Sequence, residues 1–366
     1  MSLVKKYCFL MAYLLVLMPI FALQLGGWLS FIPFMIVFAL VPLIDAFIRD
    51  TLNPSKEQES VLIKDNFFKY ITYAYVPMQL ALIAYGAYVV STHSLSWNEW
   101  LGFTMSIGLV TGGVGINLSH EMMHKNSKLQ QFLSKTLLVS VCYGHFLIEH
   151  VKGHHVRVAT PEDPATAQLG ESLYDFLPKT ITGSFKSAWH LETKRLHRKG
   201  ISLLNIRNHF WWIITVPVAI ASLCFILGGL NALGFFLLQS LVAILTLEIV
   251  NYIEHYGLER RKLPNGEYEK VNPYHSWNAN HWLSNSILFH LQRHSDHHTY
   301  GARPYQVLRH MDQSPQLPSG YLGMMVLALF PPLWKAVMDK RVIEYRKRLK
   351  AMQEYQHHCE KEAVAV

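Results

Sequence analysis

Residues 100–125 read WLGFTMSIGLVTGGVGINLSHEMMHK. The first part, 100–119, is apolar or small and carries no charge; as a helix, a run of about 20 such residues crosses the hydrocarbon core of a bilayer. The run ends on His120 and His124, spaced so that both fall on one helical face. Two imidazoles there can grip one metal ion or flank two, although such a pair also occurs as buried, hydrogen-bonded histidines. The rest of the chain decides between these readings.

Working outward, five further stretches are long and apolar enough to span: 7–25, 29–48, 70–91, 209–229 and 232–252. With 100–119 they predict an all-α integral membrane protein of six transmembrane helices, forming one membrane-embedded domain over 1–366. Hydrophobic residues make up 51% of the chain and charged residues only 16%, a balance that argues against an ordinary soluble domain. The first span follows Lys5 and Lys6 as a signal peptide would, but no small-residue cleavage site follows it and a second span comes at once, so it reads as a retained helix.

Charge orients the bundle. The links 24–28, 92–100 and 228–231 contain no Lys or Arg, whereas 49–69 carries Arg49, Lys56, Lys64 and Lys69. Cations favour the cytoplasmic side of short loops, so both termini and the segments 120–208 and 253–366 are expected in the cytoplasm, as in a bacterial-type inner membrane. Shorter apolar runs at 136–148 and 321–338 read as re-entrant or interfacial helices. The basic stretch 340–350 reads as an amphipathic surface helix, and the last residues as a loose end. The net charge of +8 suits an anionic membrane surface or an acidic partner rather than nucleic acid. The four cysteines, Cys8, Cys142, Cys224 and Cys359, are far apart and form no CxxC, which indicates neither a disulfide framework nor a thiolate metal site.

Three more histidine groups follow. Residues 149–155 read EHVKGHH, 251–257 read NYIEHYG and 291–298 read LQRHSDHH. Adjacent histidines on a helix point about 100° apart, which suits ligands directed at two neighbouring ions. The nine histidines, His120, His124, His150, His154, His155, His255, His294, His297 and His298, exceed what one tetrahedral zinc needs but can give each of two ions four or five nitrogens. Carboxylates stand beside them at Glu121, Glu149, Glu254 and Asp296, positions from which a metal-bound imidazole can be oriented through its other N–H. Imidazole serves iron, copper, zinc and nickel alike. Oxygen chemistry at a membrane favours iron, since attack on an unactivated C–H bond requires a redox cofactor.

These groups, HEMMHK (120–125), EHVKGHHVRVATPEDPA (149–165), NYIEHYGL (251–258) and LQRHSDHH (291–298), together resemble the signature boxes of the membrane alkane 1-monooxygenases. The likeness extends through GESLYDF (170–176) and HSWNANHWLSNSILFH (275–290) to about residue 320. It implies two non-haem iron ions held by histidines, O2 as co-substrate, terminal hydroxylation of medium-chain n-alkanes, and rubredoxin, reduced by its own reductase, as electron donor. One departure stands out: Gly301 occupies a position where the family usually has proline, and Pro304 is displaced. The wider superfamily includes desaturases and aromatic or terpenoid hydroxylases, which share the box spacing; a metal transporter would instead set its ligands deep in the spans.

The chain carries no Rossmann glycine fingerprint or haem attachment motif, so electrons are expected from another protein, with the basic clusters at 195–199 and 260–262 as docking candidates. An apolar channel from the lipid is expected to reach the metals, with Trp97, Trp100, Phe103, Leu118 and Leu247 among its possible walls.

Overall fold

The computed structural model describes residues 3–50 and 52–364, with side chains as far as Met352; Cys359 and the expectation of a loose end lie outside those described side chains. In chain order the helices are α1 (Leu3–Leu25), α2 (Gly27–Asp45), α3 (Lys56–Lys64), α4 (Asn66–Thr92), α5 (Trp97–Met123) and α6 (Lys128–Val139). They continue as α7 (146–157), α8 (Leu173–Arg198), α9 (Phe210–His255), α10 (Trp282–Ile287), α11 (His294–Thr299), α12 (Tyr321–Ala328) and α13 (Pro331–Val364). Among the described residues there is no strand, only isolated bridges.

Five of these helices, α1, α2, α4, α5 and α9, are long and apolar enough to cross a membrane. The fifth covers 46 residues and absorbs both expected spans at 209–229 and 232–252. It is not one rod. Trp212 would lie 3.1 Å from a Cβ at Gly144, while Leu247 shares a packed cluster with Tyr143 and Phe146; a straight helix would hold Trp212 and Leu247 about 50 Å apart. The chain reverses at Gly229, whose φ of 63° and ψ of −152° belong to a region essentially restricted to glycine.

Local chemistry sets the helix ends. Ser96 and Glu99 form a capping box at the start of α5, and Asp65 Oδ1 accepts from Phe67 N at the start of α4, each satisfying amides that have no partner within the helix. Glu99 also accepts from Gly27 N at 2.8 Å, and Trp28 meets Trp97 edge-on at 5.1 Å. The links between α1 and α2 and between α4 and α5 thus meet at one end of the bundle, and Ser91 packs against Gly228 at the α9 reversal. The opposite end carries the Lys5–Asp50, Lys6–Asp65 and Arg293–Asp50 pairs.

Small residues bring α5 onto the second half of α9. A Cβ on Gly108 would lie 2.7 Å from Gln239 O, and one on Gly112 would lie 2.7 Å from Ala243 Cα. Close backbone approach of this kind holds helices together where lipid removes the hydrophobic drive between them. Buried amides add to it: Thr111 donates to Gln239 Oε1 at 3.1 Å and Gln79 to Ser140 Oγ at 2.8 Å.

Each of the short apolar runs is broken rather than continuous. The 136–148 run divides among the end of α6, a turn and the start of α7, while 321–338 breaks between α12 and α13. Trp334 of α13 is fully buried and packs on Tyr252 and Tyr256 of α9 at 5.0 and 5.2 Å. The basic stretch 340–350 is helical and mostly exposed, with Val342 buried on its inner side. It continues α13, which the anchored Trp334 ties to the end of α9.

Candidate metal centre

Four elements bring the nine histidines to one place. His120 lies in the last turn of α5 and His124 just beyond it, their rings 5.3 Å apart, as the four-residue spacing predicts. α7 departs from α-helical geometry. Its turn 150–154 is a π-helix, closed by His155 N–H donating to His150 O. That widened turn sets His150 beside His155, with their Nε2 atoms 3.0 Å apart, and turns His154 to the other side. Such π-bulges recur at functional sites. In α11, His294 and His298 share a face, Nε2 to Nε2 2.9 Å, while His297 faces away and meets His155 Nε2 at 3.1 Å. His255 closes α9.

The result is two adjoining groups. His120, His124, His150, His155 and His297 form one, and His154, His255, His294 and His298 the other; within each, one ligand nitrogen per residue lies within 4.8 Å of all the others. The groups touch where the His155 and His298 rings stack at 4.3 Å.

Protonation favours metal binding. A carboxylate only accepts hydrogen bonds, so His154 Nδ1–H donates to Asp163 Oδ2 at 2.8 Å; His255 Nδ1–H donates to the His275 carbonyl at 3.1 Å. Each tautomer leaves Nε2 bare, and Nε2 of His154, His255, His120 and His124 is buried without a partner. Burial and then the neighbouring imidazoles push His150, His155, His294, His297 and His298 well below the ordinary histidine range. Burial, Lys125 and His154 bring His124 down to about 3. Neutral rings with orphaned lone pairs aimed at a common point are what a cation would satisfy.

Of the carboxylates singled out from sequence, Glu254 is the one beside the ligand atoms, its Oε2 3.1 Å from His294 Nε2. Glu121 is engaged by Lys125 at 2.8 Å and Glu149 by Arg157 at 2.6 Å. Asp296 accepts both Arg303 contacts, at 2.7 and 2.8 Å, and the Arg309 amide. Sequence reasoning missed Asp163. Burial works to raise its carboxyl, yet His154 and hydrogen bonds from His154 and Thr166 hold it below the ordinary carboxylate value. The signal was available in TPEDPA, five residues past the last histidine of that box, but nothing in its spacing distinguishes Asp163 from Glu162.

An apolar cavity opens onto the metal-facing atoms. His120, His150, Glu254 and His294 form one part of its wall, and Leu15, Val37, Phe38, Leu109, Val114 and Met325 are among the apolar residues of the rest. Of the suggested channel residues only Leu247 lines it; Phe103 and Leu118 are packed in the core and Trp97 is largely exposed.

Clustered histidines at the ends of apolar helices, facing an apolar cavity, define a membrane oxidoreductase of the histidine-box class. The family model described as "Fatty acid desaturase" matches residues 95–328. Alkane 1-monooxygenase 2 of Pseudomonas aeruginosa is 48% identical over 316 residues, 85% of this chain and 83% of that protein. Alkane 1-monooxygenase 2 of Alcanivorax borkumensis is 43% identical over 311 residues, 84% of this chain and 81% of that protein. The xylene/toluene monooxygenase hydroxylase component of Pseudomonas putida is 30% identical over 281 residues, 75% of this chain and 74% of that protein. The chain belongs to the alkane 1-monooxygenase family.

Proposed function

We propose that the protein is a di-iron monooxygenase that converts the terminal methyl of medium-chain n-alkanes to a primary alcohol, using O2 and electrons from rubredoxin. The observation that carries this reading is the cavity. Away from the metal end, each polar side chain on its wall is bonded to protein: Asn117 Nδ2 donates to Leu288 O, Thr246 to Val242 O and Asn251 Nδ2 to Glu248. Such a wall is predominantly apolar and suits a plain hydrocarbon. Leu109 and His120 both line it although three turns of α5 separate them, so the apolar wall runs along the helix and ends at the histidines.

In this reading His120, His124, His150, His155 and His297 hold one iron, and His154, His255, His294 and His298 the other. Glu254, the sole carboxylate on the cavity wall among the described residues, stands beside the second group and offsets part of its charge. The irons supply the dioxygen activation that side chains cannot. The apolar wall excludes bulk water and positions the terminal methyl, while Asp163 and the His275 carbonyl hold His154 and His255 in the ligating tautomer.

The same reading makes 1–366 a single catalytic domain crossing an inner membrane six times, with α9 contributing two crossings around Gly229. The metal end and both termini then face the cytoplasm. Supporting this are the Lys/Arg-free links gathered at the far end of the bundle and the Lys5, Lys6 and Arg293 pairs at the near one.

The test is metal analysis of the detergent-purified protein, together with incubation with octane, O2, rubredoxin and its reductase. Two irons per chain and 1-octanol are expected, both lost in His150→Ala. Zinc as the sole metal, or an alkene in place of the alcohol, overturns the reading.

A further inference from the structure

Glu254 reaches the metal centre from the last turn of α9, and its carboxylate is held from another helix. Oε1 is buried without a hydrogen-bond partner, and Oε2 lies 3.1 Å from His294 Nε2. The Tyr321 hydroxyl reaches this carboxylate. Tyr321 is the first residue of α12 and fully buried, and Leu322 and Met325 of the same helix line the apolar cavity beside Glu254.

Tyr321 is itself fixed at both ends. Its hydroxyl donates to the Trp277 carbonyl at 2.9 Å. Trp277 is latched to the end of α9 on either side of His255: its amide donates to Glu254 O at 2.8 Å and its indole to Tyr256 O at 2.9 Å. The Tyr321 amide donates to Gln292 Oε1 at 2.8 Å, and Gln292 Nε2 donates to Ser284 Oγ at 2.6 Å. Leu283 N and Ser284 N in turn donate to Asp45 Oδ1 at 3.0 and 3.3 Å. A polar line thus runs from Asp45, the last residue of α2, to the carboxylate at the metal centre. Asp45, Ser284, Gln292 and Tyr321 are all fully buried, so water screens none of its links. Gly320 leaves room for the line, since a Cβ there would lie 2.9 Å from both Asp45 Oδ2 and Ser284 Oγ.

We propose that Tyr321 is a positioning residue for the monooxygenase, its hydroxyl holding the Glu254 carboxylate in the orientation that faces His294. The inference rests on the di-iron reading above and adds to it the residue through which this carboxylate is set. A phenol carries one hydrogen. Rotation about its C–O bond moves that hydrogen from the Trp277 carbonyl to Glu254 once the carboxylate is ionised beside a bound cation, and no other group has to shift. Partners that restrict the groups facing a metal tune the site without touching the ion. The line from Asp45 does the same for Tyr321, through Gln292, which stands two residues before His294.

Tyr321→Phe removes the hydroxyl and keeps the backbone link to Gln292. Wild type, Tyr321→Phe, Glu254→Ala and the double variant, loaded with isotopically enriched iron, are compared by iron content, octane kinetics and Mössbauer spectra of the ferrous state. Tyr321→Phe is expected to keep two irons per chain and its KM for octane, and to lose about 10-fold in kcat. It should also shift the quadrupole doublet of one iron, the same one that shifts in Glu254→Ala, and leave the other unmoved. The double variant should be no slower than Glu254→Ala, because the hydroxyl acts through that carboxylate. Losses that multiply in the double variant, an unchanged spectrum in Tyr321→Phe, or a reduced iron content there overturn the proposal. A wild type that holds only zinc refutes the di-iron reading, and the positioning role falls with it. Two irons and 1-octanol in the wild type beside multiplying losses refute the positioning role alone.

Discussion

Replacing Asp163 with Asn conserves size while removing the charge that faces His154. Both groups are buried, at 3% exposure for Asp163 and 2% for His154, so solvent does not screen the loss. The contact broken is a 2.8 Å charge-assisted hydrogen bond; such bonds are worth about 1.5–3 kcal/mol. At about 1.4 kcal/mol per decade, this corresponds to iron held roughly 10- to 100-fold more weakly, the range usual for partners that orient a metal-bound histidine. The loss should fall on the four-histidine group, since His154 belongs there while the five-histidine group keeps all its contacts. Titrating loaded Asp163→Asn with a ferrous chelator should therefore remove one iron per chain one to two decades earlier than in wild type and leave the other near its wild-type midpoint. Coincident titration curves for variant and wild type would refute the tautomer argument. Parallel loss of both ions would refute the assignment of His154 to one group.

Three further outcomes are expected. Glu254→Gln removes the carboxylate beside His294 and should lower 1-octanol formation at saturating iron by at least about 10-fold; full turnover would exclude it from the metal centre. Gly229→Ala meets no neighbouring atom, so its cost is backbone strain of about 1–3 kcal/mol, visible as a lower unfolding midpoint in detergent; an unchanged midpoint would show that the reversal is not strained by a side chain. His145 is held down to about 4 by burial, whereas the unfolded chain takes up its proton near the ordinary value of about 6.5. The unfolded state thus binds more protons between these values, and stability should fall as pH drops through that window by about 3 kcal/mol for this group alone. Denaturation of wild type and His145→Asn at pH 7.5, 6 and 5 checks this: the variant should lose less stability across the series, and equal slopes would refute it.

Much of the molecule was legible along the chain because its determinants are local. A hydrocarbon core requires runs of apolar residues, so the spans stand out in composition. Helical spacing forces His120 with His124, and His294 with His298, onto common faces whatever surrounds them. Cation-free links and cation-rich ones separate along the sequence, and in the fold they collect at opposite ends of the bundle.

Other features depend on contacts between distant segments. An α-helical reading of 149–155 pairs His150 with His154; the π-turn pairs His150 with His155 instead, and that choice sorts the nine histidines into five and four. A one-residue change of helical register has no signature in composition. Asp163 and Glu162 look alike in sequence, and only the way 158–166 folds back decides which one reaches His154. Glu254 and Glu149 each adjoin a histidine, yet Arg157 claims Glu149 while His294, forty residues away from Glu254, meets it across the centre. The sequence by itself determined which residue types could serve as ligands and that helices would carry them to the membrane's edge, because hydropathy and helical periodicity act over neighbouring residues. The tertiary structure alone decided which histidines stand together and which carboxylates reach them, because each of these turns on a few ångströms between segments that the chain order keeps apart.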